Sequence, residues 1–191
     1  MEDNYQKIIQ ENLRRLFADP AAALEINLPA TRNPRAFIFR AFGKECRIQP
    51  DAIQLGGTPQ NGVPGILISL YALSASPRRC VTEPLRAYKD FPDSMPYAGA
   101  FATHTQQPLV PHVPRIKASQ AKIIEQLGGK DASNTAGGDF SFLVYPLPKI
   151  ALCYIFYEAD EDFSASATCL FSQNNLTTGI CAKKGQSFPT R

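Results

Sequence analysis

The polarity pattern at the start of the chain is typical of a helix with one apolar face. Apolar side chains recur there at intervals of three and four residues: Tyr5, Ile8, Ile9, Leu13, Leu16 and Phe17. Because a helix turns once in about 3.6 residues, this spacing places these side chains on one side. The pattern predicts an amphipathic helix over residues 4–17, within an N-terminal element of residues 1–20.

Further along, apolar and polar positions alternate, which is typical of strands. Phe37, Phe39 and Ala41 share one side of such a segment, and Gly43-Lys44 supplies a tight turn after it. Near the end of the chain, Pro-Leu-Pro-Lys separates two runs rich in aromatic and β-branched residues, and the second run is apolar on both sides, which indicates a strand covered on both faces. The predicted strands are residues 36–42, 45–49, 139–146, 149–157 and 165–171.

Three other segments carry helix signals. Residues 63–76 are apolar almost all round and have Pro64 in the first turn, which predicts a buried central helix. Residues 111–127 are amphipathic, and Gly128-Gly129 supplies the left-handed residue that ends a helix. Between them, the proline-rich residues 77–114 hold too many large apolar side chains for a solvated linker, so an ordered wrap with a short helix at residues 97–105 is predicted.

The order of these elements predicts an α+β fold. Strands come in antiparallel hairpins separated by helices, without the regular alternation of a parallel α/β sheet. The predicted sheet is mixed or antiparallel and packs against several helices. With 191 residues and 44% hydrophobic content, the chain is long enough for one well-buried core, so residues 1–191 are predicted to form a single domain.

Charge and hydropathy exclude some function classes. The formal net charge is +3, and no run of Lys and Arg is longer than two residues, so a nucleic-acid partner is not expected. No apolar run approaches the roughly 20 residues that cross a bilayer, so a membrane partner is not expected either. The first residues are acidic where a signal peptide is basic, and we expect a cytoplasmic protein.

The cysteine pattern favours neither a disulfide framework nor a metal cluster. Five cysteines are widely spaced and form no Cys-x-x-Cys pair: Cys46, Cys80, Cys153, Cys169 and Cys181. We expect each of them to be a small buried or half-exposed apolar side chain.

One acidic run stands out, in the sequence Tyr-Glu-Ala-Asp-Glu-Asp-Phe that follows the most apolar strand. Its carboxylates, together with His104 or His112, are candidate ligands for a hard cation such as Ca²⁺ or Mg²⁺. The candidate metal ligands are Glu158, Asp160, Glu161, Asp162 and His104. The alternative is that the acids keep the end of a strand solvated and prevent edge pairing.

Several specific residues occur in a fixed order along residues 35–175. They are Gly128, Gly129, Asp139, Pro146, Pro148, Asp160, Glu161, Phe163, Leu170 and Phe171. In this order of motifs, the chain resembles a family of prokaryotic domains of unknown function that is common in anaerobes.

The resemblance implies a shared fold, with no reaction attached to it. Some relatives carry an iron–sulfur type cysteine segment ahead of the domain, which implies redox or one-carbon metabolism of anaerobes. Within these 191 residues no such segment occurs, and Ser172 stands where the family pattern has an aspartate.

The favoured function is a non-catalytic binding or accessory domain for a small ligand or cofactor of unknown identity. Aromatic residues near predicted loops are candidates for the lining of an apolar pocket. They are Tyr88, Phe91, Tyr97 and Phe101. The alternatives are a metal-dependent enzyme that uses the carboxylates of residues 158–162, and a protein-interaction module, with a homodimer as one form of it.

Overall fold

The computed structural model describes residues 2–18, 27–33, 35–77 and 79–173. Contacts divide the chain into two compact units, Met1–Arg79 and Cys80–Arg191. Each unit contains helices and an antiparallel sheet, which confirms the predicted α+β class. The single domain over residues 1–191 stays a prediction, and each unit is described by itself.

In the part of the first unit that the structure describes, helices accompany a sheet of short strands. The elements with described bounds are α1 (Glu2–Ala18), β1 (Thr31–Asn33), β2 (Ala36–Ala41), β3 (Lys44–Ile48), β4 (Ile53–Leu55), β5 (Thr58–Pro59) and α2 (Val63–Ser74). The strands lie in the order β1-β2-β3-β4-β5, each antiparallel to its neighbours. The two predicted helices and the predicted hairpin are therefore present.

The turn of the β2–β3 hairpin lies one residue earlier than predicted. Ala41 pairs with Lys44, so Phe42 and Gly43 are the two turn residues, with φ values of 49° and 76°. A two-residue turn of this kind needs both central residues in the left-handed region. Gly43 adopts it without strain, and Phe42 adopts it because the strand register requires it.

Helices α1 and α2 pack on each other through apolar side chains and one polar link. Ile9 and Leu13 are buried on α1, as the amphipathic pattern predicts. In the same interface, Asn12 Nδ2 donates to Ser69 Oγ at 2.9 Å, and Ser69 Oγ donates to the carbonyl oxygen of Ile66 at 2.9 Å. Because Asn12 and Ser69 are buried, this pairing favours one relative position of the two helices.

The second unit is built on a longer sheet. Its strands are β6 (Arg86–Ala87), β7 (Lys130–Asp131), β8 (Phe140–Leu147), β9 (Ile150–Tyr157) and β10 (Ser166–Phe171). They lie in the order β6-β10-β9-β8-β7, so the longest hairpin is at the centre. The three strands predicted here are confirmed to within one residue at each end.

Both faces of β9 are covered, as predicted. On one face Phe156 packs with Phe140, Phe142 and Val144 of β8, and partly buried helix residues such as Ile124 contact this group. On the other face Ala151, Cys153 and Ile155 pack with Leu143 and Ala132. Strand β9 thus contributes to two apolar clusters, one on each side of the sheet.

Helical structure in the proline-rich region is longer and less regular than predicted. It comprises 3₁₀ turns at Tyr88–Asp90 and Met95–Tyr97, α3 (Ala98–Phe101), a π-helical turn at Ala102–Gln106 and a 3₁₀ helix at Gln107–His112. It continues with α4 (Val113–Ala118) and α5 (Gln120–Leu127), and α6 (Ser133–Ala136) follows β7. The single helix predicted over residues 111–127 is therefore wrong in two respects, because residues 111–112 are 3₁₀ helix and the α-helix is interrupted at Ser119.

The spacing of the prolines explains why Gln107–His112 is a 3₁₀ helix and not an α-helix. Pro108 and Pro111 lie in the 3₁₀ helix; they lack the N–H that an α-helix would use, and their spacing of three matches its three residues per turn. Pro114 lies in the first turn of α4, where an N–H is not needed. All three are exposed, whereas Val113 is fully buried against the sheet. At the far end, Gly128 has φ 64° and the N–H of Gly129 donates to Ile124 O at 2.7 Å, which confirms the predicted helix end.

Candidate functional site

The acidic run forms the connection between β9 and β10 at one end of the second sheet. Its first residue is held by a neighbouring strand, because the N–H of Glu158 donates to Asp139 Oδ2 at 2.7 Å. The N–H of Asp139 in turn donates to the carbonyl oxygen of Phe156 at 2.9 Å. The end of β9 is thus fixed to the residue that precedes β8. We refer to residues 157–163 as the acidic–aromatic loop.

Asp160 organises this loop from within. Its Oδ1 accepts from the N–H of Asp162 at 2.9 Å and from the N–H of Phe163 at 2.6 Å. Its own N–H donates to the carbonyl oxygen of Phe163 at 3.0 Å. Asp is favoured at such turns because its short side chain reaches backbone donors two and three residues ahead. Asp160 therefore has a structural task that the metal hypothesis did not include.

A second carboxylate of the loop is engaged by a helix. Glu158 forms an ion pair with the ammonium group of Lys117 on α4, and both side chains are partly exposed. Glu161 and Asp162 are exposed. The four carboxylates thus differ in their surroundings: one is paired with a cation, one accepts backbone N–H groups, and two face solvent.

The two histidines lie on the proline-rich helical segment. His104 is exposed in the π-helical turn, and His112 is exposed at the end of the 3₁₀ helix. Across the described residues, no group of three or more His, Cys, Asp or Glu side chains is arranged to hold a metal ion. The metal site of Glu158, Asp160, Glu161, Asp162 and His104 stays a prediction.

Three of the four aromatic residues that the sequence assigned to a pocket lie in a group of rings around Phe171. The rings of Tyr88 and Phe101 are stacked, with centroids 4.4 Å apart. Phe171 of β10 contacts both rings and also Phe91, whose ring it meets edge to face at 5.7 Å. Tyr97 takes no part in these ring contacts and is 54% exposed. The rings of Tyr88, Phe91, Phe101 and Phe171 form an aromatic cluster, which we call the Phe171 cluster.

Two exposed aromatic side chains border the acidic run, and the sequence reasoning missed them. Phe163 is 73% exposed and Tyr157 is 49% exposed. Tyr157 is the last residue of β9, and Phe163 is held by the turn around Asp160. The one signal in the sequence was that both flank four acids, where a core position is disfavoured.

Three of the described cysteines are buried packing groups. Cys46 and Cys169 are buried, and burial raises the pKa of each thiol to about 12. Burial also raises the pKa of the Cys153 thiol. Cys80 is half-buried, and Cys181 lies outside the described residues. These surroundings agree with the expected packing role and disfavour a nucleophilic role for the three buried thiols.

Comparison with known proteins assigns this α+β chain to a family. The profile described as "Domain of unknown function (DUF3786)" matches residues 17–177, which include the described parts of both sheets and the acidic–aromatic loop. The chain belongs to this family, and the predicted membership in a family of domains of unknown function is confirmed. Neither the curated proteins nor the solved structures gave a match. Among the described helices, none has the length and apolar content needed to cross a bilayer.

Proposed function

We propose that this protein is a non-catalytic protein-interaction module that binds its partner through the acidic–aromatic loop. The observation that carries the proposal is the exposure of Phe163 and Tyr157 at a loop whose backbone is fixed by Asp160 and Asp139. Two large aromatic side chains kept in water at the two ends of one loop, six residues apart, are typical of interaction sites.

The energy that such a contact offers is appreciable. A buried aromatic side chain removes roughly 150 to 250 Å² from water, and each Å² of apolar surface contributes about 25 cal/mol. Burial of Phe163 and Tyr157 therefore contributes several kcal/mol before the cost of association is subtracted. The fixed loop lowers that cost, because little backbone freedom is lost when the partner binds.

The surroundings of the other candidate groups favour binding over catalysis. Glu158 is paired with Lys117, and Asp160 Oδ1 accepts two backbone N–H groups. General acid–base catalysis needs a titratable group within hydrogen-bond reach of the reacting atoms and oriented by neighbours. The exposed His104 and His112 have no such hydrogen bond to the carboxylates of the loop within the described residues.

The experiment is site-specific photo-cross-linking in cells. A photoreactive phenylalanine analogue placed at Phe163 is expected to give a discrete adduct with one partner protein, which mass spectrometry identifies. The same analogue at Glu125, an exposed residue of α5, is the matched control and is expected to give no such adduct. Equal adducts at both positions, or none at Phe163, would overturn the proposal.

We also propose the cytoplasm of anaerobic prokaryotes as the setting, with an accessory role in redox metabolism. The support is the resemblance described above and the free thiols of Cys46, Cys80, Cys153 and Cys169, which are typical of a reducing compartment. Cell fractionation of a native source tests the compartment. Recovery in a membrane or exported fraction would contradict it.

A further inference from the structure

We infer that the partner segment bound by the acidic–aromatic loop is a basic peptide strand or helix of another protein, with an apolar side chain next to its Lys or Arg residues. This inference rests on the proposed function and names the chemistry of the partner. It starts from the two exposed rings of Tyr157 and Phe163, which need an apolar group opposite them.

The charge around these rings selects the neighbours of that apolar group. The chain has 17 acidic and 20 basic residues, and four of the acids lie in the loop, so the remainder has 13 acids and 20 bases. The loop thus carries −4 while the rest of the chain carries +7, in agreement with the total of +3. A partner that covers Phe163 must meet this local excess of negative charge.

The charged groups next to the loop do not neutralise its excess of negative charge. Lys117 offsets one charge through its ion pair with Glu158, but Asp139 adds another beside it. Glu161 and Asp162 are exposed on the two positions directly before Phe163. An acidic or neutral partner would have to desolvate these carboxylates without compensation, whereas Lys or Arg side chains compensate them. Charge complementarity therefore favours a basic partner over a second copy of the loop itself.

The test uses a fluorescently labelled peptide in which Lys alternates with Leu, and a counterpart with Glu in place of Lys. Fluorescence anisotropy with the full chain is expected to show binding of the Lys peptide that weakens as salt rises, and no binding of the Glu peptide. Binding of both peptides, or of neither, would overturn the inference.

Matched variants separate a specific site from general charge. The double variant Glu161→Gln with Asp162→Asn is expected to weaken binding about tenfold, as is Phe163→Ser. The control pair, Asp51→Asn with Glu83→Gln, removes the same charge from exposed positions elsewhere, and Tyr97→Ser removes an exposed ring elsewhere. Equal losses in the loop and control variants would overturn a specific site.

The outcome can be distinguished from failure of the proposed function. If Phe163 cross-links a partner but the Lys peptide does not bind, the interaction site stands and the basic partner is wrong. If sedimentation shows self-association that Phe163→Ser abolishes, the surface pairs with a second copy, and the basic partner is again wrong. If neither the cross-link nor peptide binding is seen, both proposals fall.

Discussion

Phe163 and Phe171 follow the same strand hairpin, but the structure places them in opposite environments. Phe171 contacts the rings of Tyr88, Phe91 and Phe101, whereas Phe163 is 73% exposed beside four carboxylates. The sequence assigned a pocket to the first region and a solvated or metal-binding strand end to the second. In the structure, the aromatic rings around Phe171 pack against one another, whereas the loop that contains Phe163 exposes aromatic surface to solvent.

The difference teaches that aromatic residues near loops do not by themselves indicate a pocket. The rings of the Phe171 cluster make apolar contacts with one another. Phe163 follows two charged residues that favour solvent, and it lies at the surface. A binding function should therefore depend on Phe163, and stability should depend on Phe171.

The largest expected effect is the loss of Phe171. Phe171→Ala removes a ring that contacts three others and should lower the free energy of unfolding by about 3 kcal/mol, at the low end of the range for such truncations because Phe171 is half-buried. Phe163→Ala makes the same chemical change and should stay within about 0.5 kcal/mol of the wild type. Urea unfolding measures both, and similar losses for the two variants would remove the distinction between the regions.

The next largest effect is expected at Gly138, which precedes Asp139, the residue that binds the backbone of the acidic–aromatic loop. Gly138 has φ 79°, and a Cβ there would lie 2.7 Å from Ile155 Cγ2 and 2.8 Å from Phe156 O. Gly138→Ala should therefore cost about 2 to 3 kcal/mol through steric overlap and backbone strain. Gly137 has φ 81° and ψ −162° with open space around its position, so Gly137→Ala should cost about 1 to 2 kcal/mol from backbone strain alone.

Thermal unfolding of these two variants checks the prediction. Equal losses in the free energy of unfolding for Gly137→Ala and Gly138→Ala would mean that Gly138 does not pack closely on β9.

A smaller effect is expected at the turn. Asp160→Ala removes the acceptor of two N–H groups and should cost about 1 kcal/mol, while Asp160→Asn keeps an acceptor and should cost less. Hydrogen exchange reports the change directly, since the amides of Asp162 and Phe163 should exchange faster in the alanine variant. Unchanged exchange would show that Asp160 does not fix the loop.

The ion pair of the loop should contribute least to stability. Lys117→Met and Glu158→Gln should each change the free energy of unfolding by less than about 0.5 kcal/mol, because both side chains are partly exposed and screened by salt. A double-mutant cycle at low and high salt measures the coupling. A coupling energy above about 1 kcal/mol would contradict the prediction, because exposed ion pairs rarely contribute that much to stability.

No effect is expected from divalent cations. Asp160 accepts backbone N–H groups and Glu158 is paired with Lys117, so Ca²⁺ or Mg²⁺ at millimolar concentration should leave the melting temperature unchanged. A rise in the melting temperature that Asp160→Asn and Asp162→Asn abolish would support the metal-binding alternative.

Local signals predicted much of the fold. The apolar spacing of α1, the alternation of β2, the aromatic and β-branched content of β8, and the glycine at position 128 each act over a few neighbouring residues. Each could therefore be recognised without knowledge of the fold. The break at Ser119 and the π-helical turn were missed, because they follow from how prolines and sheet packing constrain a whole segment.

The candidate site was only half accessible to such reasoning. The four acids and their place after an apolar strand were visible in the sequence. The link from Asp139 to Glu158 joins residues far apart in the chain, and so does the pair of Lys117 with Glu158. Periodicity carries no information about such contacts.

The sequence by itself thus determined the α+β class, the main hairpins, the helix end at Gly128 and the acidic character of the β9–β10 connection. Those features arise from backbone preferences and local polarity, which each residue and its neighbours fix. Only the tertiary structure decided that Phe171 packs among other rings while Phe163 is exposed, and that Glu158 is held by Asp139 and Lys117. Burial and hydrogen-bond partnership depend on which distant residues the folded chain brings together.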